Sequence, residues 1–214
     1  MIKNIIHKIA IYIYNMTTIG LKKGPHITRY FMYQHLSKYY EPRPSDLKVL
    51  SISGSNYLGK LLGFQDHQIT EVSYPEVTIF DLPFKDGEFD CIVSDQVLEH
   101  VDGYPQLAIE ETLRVLKPNG IALHTTCFIN PIHGAPSDYW RFTPEGLRLL
   151  TSKHGDVIDV GGWGNPYALV YMSLGLRTRP IPHASWHPAH WIANHNHPNW
   201  PICTWVMIRK KLTN

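Results

Sequence analysis

From residue 47 onward the chain alternates short apolar runs with helix-like segments, and this alternation limits the fold more than any other feature. Residues 47–53 (LKVLSIS) read as a buried strand, and 57–62 as the start of a short helix. Residues 68–72 and 77–80 are two further strand-length runs, and 91–94, bounded by acids, is a fourth. Residues 104–116 carry Leu107, Ala108, Leu113 and Leu116 at helical spacing. Lys117-Pro118-Asn119-Gly120 reads as a turn before a strand at 121–126. A helix at 144–150 and strands at 157–160 and 204–208 complete the pattern. Strands that alternate with helices predict a mainly parallel sheet covered on both faces. Such sheets bind ligands at the carboxyl ends of their strands, so the loops after residues 53, 72, 80, 94 and 126 matter most.

Composition narrows the class further. A chain of 214 residues suits one domain and buries a core without disulfide or metal staples. With 43% apolar and 18% charged residues, wholesale disorder is excluded. A formal charge of +2 is no polybasic footprint, so nucleic acid is not an expected partner. Protonating all 13 histidines would take it to +15. Cys91, Cys127 and Cys203 are odd in number and widely spaced, which indicates reduced thiols and a cytoplasmic setting. Residues 1–46 read as a helical segment and 47–214 as the main domain.

In the first segment, Ile2, Ile5, Ile6, Ile9 and Ile13 recur at helical spacing, with Lys3, His7 and Lys8 largely off the stripe. The longest clean apolar stretch is six residues, too short to span a bilayer. A helix docked on the domain, or a homodimer contact, is the first expectation. Peripheral membrane contact through residues 1–24 is the second.

The loop after the first strand, Gly54 to Leu61, fits the phosphate-loop spacing GxxxxGK, but Leu61 stands where that motif needs a hydroxyl for Mg²⁺. A nucleotide-binding reading is therefore a remote alternative. The later residues agree better with one another. Asp81-Leu82-Pro83-Phe84, Gly87-Glu88-Phe89-Asp90, Val97-Leu98-Glu99-His100-Val101 and Arg114-Val115-Leu116-Lys117-Pro118-Asn119-Gly120 occur in one fixed order. Over residues 47–150 this series resembles class I S-adenosylmethionine-dependent methyltransferases of the type 11 group. The stretch from His133 to Leu147 is similar to members associated with sugar and surface-polysaccharide modification.

The resemblance implies a Rossmann-like methyltransferase fold, a mostly parallel seven-stranded sheet with helices on both faces, and S-adenosyl-L-methionine as cofactor. It places Ser51, Ser53 and Ser55 where the family has an acid and glycines, with Gly54 shifted by one. Asp81, with the Leu82 backbone, matches the residue that receives the adenine amino group. Asp95 and Gln96 follow the strand that passes the amino-acid end of the cofactor. Glu71, a carboxylate after the second strand, suits a ribose diol on chemical grounds.

A hydroxyl acceptor needs a base with pKa near neutrality, which suits histidine. His133 with Asp138, as orienting group or alternative base, is the favoured pair. His100 is the other option, and His124 reads as a core residue. Trp140 and Arg141 are assigned to stacking on, and anion contact with, a sugar or its carrier. The His/Trp-rich loop 180–201 reads as a lid over the acceptor in preference to a zinc site, so no metal is expected. The function expected is O-methylation of a sugar hydroxyl in a glycan or activated sugar. A methyltransferase for another small molecule and a non-catalytic methyltransferase-like scaffold are the alternatives.

Overall fold

The structure is a computed structural model that describes residues 2–134 and 136–211. In chain order its elements begin with α1 (Ile2–Thr17), β1 (Lys23–His26), α2 (Ile27–Leu36), β2 (Val49–Ile52), α3 (Asn56–Leu61) and β3 (Ile69–Val72). Then come β4 (Phe89–Asp95), α4 (Pro105–Val115), β5 (Leu116–Cys127), α5 (Pro144–Thr151) and β6 (Gly155–Trp163). The last are α6 (Pro166–Tyr171), β7 (Pro180–Pro182), α7 (Pro188–Asn194) and β8 (Cys203–Lys210). They group into two compact units. One joins the residues up to His35 with Trp163–Ile202, and the other joins Leu36–Gly162 with the residues from Cys203 onward. A single break between 46 and 47, as the sequence suggested, does not describe a unit assembled from two distant stretches.

The larger unit holds a Rossmann-like sheet of six strands in the order β3-β2-β4-β5-β8-β6. Pairings β2 to β3, β2 to β4 and β4 to β5 are parallel, and β5 to β8 is antiparallel. Strand β2 is buried at every position and β4 at most, which is why both read as apolar runs. Proline at the first helical position opens α4, and the Thr143 side chain accepts the Gly146 N–H to cap α5. Ile109 and Leu113 of α4 and Leu147 of α5 join Leu50, Ile92 and Val206 of the strands in one core.

Two expectations are corrected. Residues 77–80 form no strand, so the sheet has six strands rather than seven. Their neighbourhood is closed by local turns, Val77 N–H to Ser73 C=O and Asp81 N–H to Thr78 C=O, and Ile79 is buried as an anchor. Lys117–Gly120 is not a separate turn but a bulge within β5. The register there jumps from Phe89 opposite Leu116 to Cys91 opposite Ile121, with Asn119 at φ +65°.

In the smaller unit β1 pairs antiparallel with β7. The Tyr30 hydroxyl lies 2.9 Å from His183 Nδ1 and 3.2 Å from His190 Nδ1. His187 caps α7 through the Ala189 N–H, and its Nε2 lies 3.1 Å from Thr17 Oγ1. Helix α1 buries Tyr14, while its isoleucines at 2, 5, 6, 9 and 13 are exposed. Among the described residues, no helix is long and apolar enough to cross a membrane.

His124 lies in β5, fully buried, with Nδ1 2.8 Å from Ser94 Oγ and no partner for Nε2 among the described residues. Burial lowers its pKa from the ordinary 6.5 to about 4. The unfolded chain therefore takes up this proton first as pH falls. The contribution is fully present above pH 6.5 and is lost between about 6.5 and 4, on the order of 3 kcal/mol. Urea unfolding across that interval should show this decline in the native protein and a flatter profile in His124→Asn.

Candidate functional site

One hydroxyl joins the carboxyl ends of β2 and β4. Ser55, buried just before α3, donates to the Ile52 carbonyl (2.5 Å) and accepts the Asp95 N–H (2.7 Å). The chain turns sharply on both sides of this link, with Ser53 at φ +54°, Gly54 at +78° and Gln96 at +59°. For Ser53 and Gln96 the left-handed region costs about 1 kcal/mol each, and residues held this way concentrate at binding sites. Ser53 takes this left-handed conformation at a position where the resemblance places a glycine.

These turns border a cavity of about 240 Å³. Val77, Ile79 and Phe80 supply an apolar wall, and Thr78, Gln96, His100 and Asp102 the polar groups. Exposed rings of Tyr74 and Tyr139 also line it. It lies at the loops after β2, β3, β4 and β5, as a parallel sheet requires. The run 77–80, read from sequence as a strand, is its wall. A short apolar stretch without alternation fits a strand and a buried loop equally well, and this is why the role was missed.

The residues fit a nucleoside-containing cofactor. The Gln96 Nε2 is buried without a partner among the described residues, and Gly54 faces open space where a Cβ would stand. Glu71, at the end of β3, takes the Gly54 N–H on Oε1 at 2.5 Å, and these residues give its Oε2 no hydrogen bond. Other sequence-assigned positions are placed differently. Ser51 is fully buried in β2, and the Asp95 carboxylate accepts the Thr125 hydroxyl at 2.5 Å. Asp81 is exposed and outside the cavity lining, and the Leu82 N–H donates to Glu111 Oε1 (2.8 Å). The phosphate-loop reading fails: α3 starts at Asn56, so Lys60 falls in its last turn and pairs with Asp66 at 2.6 Å.

Beside the cavity the histidines of the sequence reading come together. The rings of His100 and His133 meet edge to face, 5.0 Å between centroids. His100 Nδ1 lies 2.6 Å from the Ser137 carbonyl, which can only accept, so the neutral ring presents its lone pair at Nε2. Asp138 Oδ2 accepts the His133 N–H (2.8 Å) and lies 3.2 Å from His133 Nδ1. Arg141 grips both carboxylate oxygens of the buried Asp138. That guanidinium holds the Asp138 carboxyl well below the usual range. Asp138 is therefore suited to orient His133 and not to take a proton. Trp140 donates its indole N–H to Val101 C=O (3.0 Å) and packs on the core.

Glu99, Cys127 and His133 bring ligand-type atoms within 4.8 Å of one another, the one such group among the described residues. Glu99 is fully buried and accepts the Thr126 hydroxyl at 2.7 Å. Burial, with Glu99 alongside, pushes the Cys127 thiol up to about 12. The histidines of 183–197 form no such group.

The family described as Methyltransferase domain matches residues 36–124. No match was found among curated proteins compared by sequence. Solved structures share the fold at low identity. A chain from the complex of the Haloferax volcanii Trm112 methyltransferase activator with a methyltransferase has TM-score 0.58 and 14% identity, covering 87% of this chain and 91% of that one. The 4+2 cyclase SpnF has TM-score 0.55 and 15% identity over 91% and 88%. Geranyl diphosphate methyltransferase, solved with S-adenosylmethionine, has TM-score 0.53 and 13% identity over 86% of each chain. Residues 36–124 thus match the methyltransferase-domain family, and the sheet that carries them has the fold of these solved structures.

Proposed function

We propose that the chain is an S-adenosylmethionine-dependent methyltransferase that methylates a hydroxyl oxygen of a sugar, within a glycan or an activated sugar. The observation that carries this reading is the cavity at the strand ends, with the histidine pair beside it. The cofactor supplies an activated methyl group on a sulfonium when bound. Glu71 holds the ribose diol, Val77, Ile79 and Phe80 pack the base, and Gln96 donates its otherwise unpaired amide.

His100 removes the acceptor proton through Nε2, since it lines the cavity and its Nδ1 is occupied by a carbonyl. His133, oriented by Asp138, stabilises the charge that His100 acquires. Stacking on a sugar ring is proposed for Tyr139, because Trp140 is turned into the core. Asp102 accepts from sugar hydroxyls.

Titration with S-adenosylmethionine should give a measurable heat, and Glu71→Ala should weaken binding between about tenfold and a hundredfold. Absence of heat at millimolar cofactor would favour the scaffold reading, for a chain that kept the fold and lost the ligand. With isotopically labelled donor and a panel of sugar nucleotides and glycans, His100→Asn should lower kcat by about 10² to 10⁴ and leave cofactor affinity unchanged. Full activity in both His100→Asn and His133→Asn would refute the base assignment.

Arg141→Met would strand the buried Asp138 carboxylate, at a cost of about 3 kcal/mol in urea unfolding. Adding Asp138→Leu should recover part of that loss, because the uncompensated charge then disappears.

A further inference from the structure

Charge is divided unequally between the two units. All 18 Asp and Glu lie in the larger one. The smaller has none, yet carries Lys3, Lys8, Lys22, Lys23 and Arg29 from its first stretch, and Arg177 and Arg179 from its second. With histidines neutral its formal charge is +7, and the larger unit, with the other 13 of 20 basic residues, has −5; together they give the +2 of the whole chain.

The same unit displays an apolar face. Helix α1 packs through Tyr14, with His7, Ala10 and Ile11 half-buried on that side. At about 100° per residue, Ile2, Ile5, Ile9, Ile13 and Met16 fall on the opposite side. Each is more than half exposed. Lys8 flanks the stripe on one edge, while Lys3 falls on the Tyr14 side of the helix near its exposed first turn. Ile13 also lines a groove of about 320 Å³ with Leu174, Leu176, Trp186, Pro188 and Ile192, and Trp186 is 69% exposed.

We propose that this acid-free unit docks on an anionic lipid bilayer, with α1 lying in the interface. Isoleucines enter the acyl boundary, lysines meet the phosphates, and Trp186 sits at headgroup depth. At 16 residues α1 reaches only about 24 Å, which suits lying on the surface and not crossing it. A second copy fits less well, because two units of +7 would meet with like charge. Nucleic acid would match the lysines and leave the isoleucine stripe in water. Docking requires no methyl transfer, so an inactive protein would bind equally.

The test is flotation of the full chain with vesicles of phosphatidylcholine alone or mixed with phosphatidylglycerol. Binding should be strong only on the mixed vesicles and should weaken with salt. Lys8→Gln should reduce the partition coefficient about fivefold on anionic vesicles. Ile5→Ser with Ile9→Ser should reduce it about tenfold or more, and circular dichroism should show the fold retained, since both side chains are exposed. Three results would overturn the proposal. One is no flotation at any lipid composition. Another is flotation indifferent to the isoleucine pair in protein that is folded. The third is a dimer in sedimentation velocity, or an RNA complex, that the isoleucine substitutions abolish while vesicles remain unbound.

Discussion

A parallel sheet leaves the ends of its strands to be fastened by something other than the ladder, and here the Ser55 hydroxyl does so. It is held by the Ile52 carbonyl and holds the Asp95 N–H, so the loops after β2 and β4 are fixed to each other. Both loops then turn through left-handed backbone at Ser53, Gly54 and Gln96. Gln96 then lines the cavity, and the Gly54 N–H is given to Glu71. Serine at 53 and 55 is therefore compatible with the loop for two different reasons. One accepts an unfavourable φ, and the other supplies a bridge that glycine has no atom to make.

The second fixed point is the Asp138 carboxylate. Once Arg141 neutralises it on two oxygens, it can orient His133 but has too low a proton affinity to serve as a base. In the proposed reaction, proton acceptance is therefore assigned to an imidazole. Of the two that touch, only His100 borders the cavity. The assignment follows from which ring nitrogen each neighbour leaves unoccupied. The sequence favoured His133 because its loop follows the strand at 121–126, on the side where an acceptor should approach.

Much of the sheet was legible because its strands are buried on both faces and read as unbroken apolar runs, as at 49–52 and 91–94. The same criterion misread 77–80, where buried apolar residues line a cavity and no strand forms. It also missed that Lys117–Gly120 remains inside β5, since a bulge and a turn use the same residues. In the site, local spacing did identify the approach of His133 to Asp138, five residues apart. It had no means of revealing that Ser137 fixes the tautomer of His100, or that Asp81 lies beyond the cavity wall. Those depend on how loops separated by tens of residues fold back on one another.

The smaller unit was illegible for a related reason. The pairing of residues 23–26 with 180–182 joins stretches that no local pattern connects. Hence a whole-chain charge of +2 averaged two populations that the fold separates. Excluding a polybasic surface on that average assumed that acids and bases are mixed, and in this chain all the acids fall on one side of the division. The isoleucine stripe was likewise visible as periodicity, but periodicity gives the stripe and not the direction it faces. Direction came from Tyr14, the one buried residue of α1, whose side of the helix is opposite the stripe. The helix is held through its smaller apolar face, and the larger, exposed one is the face that the proposed bilayer would cover.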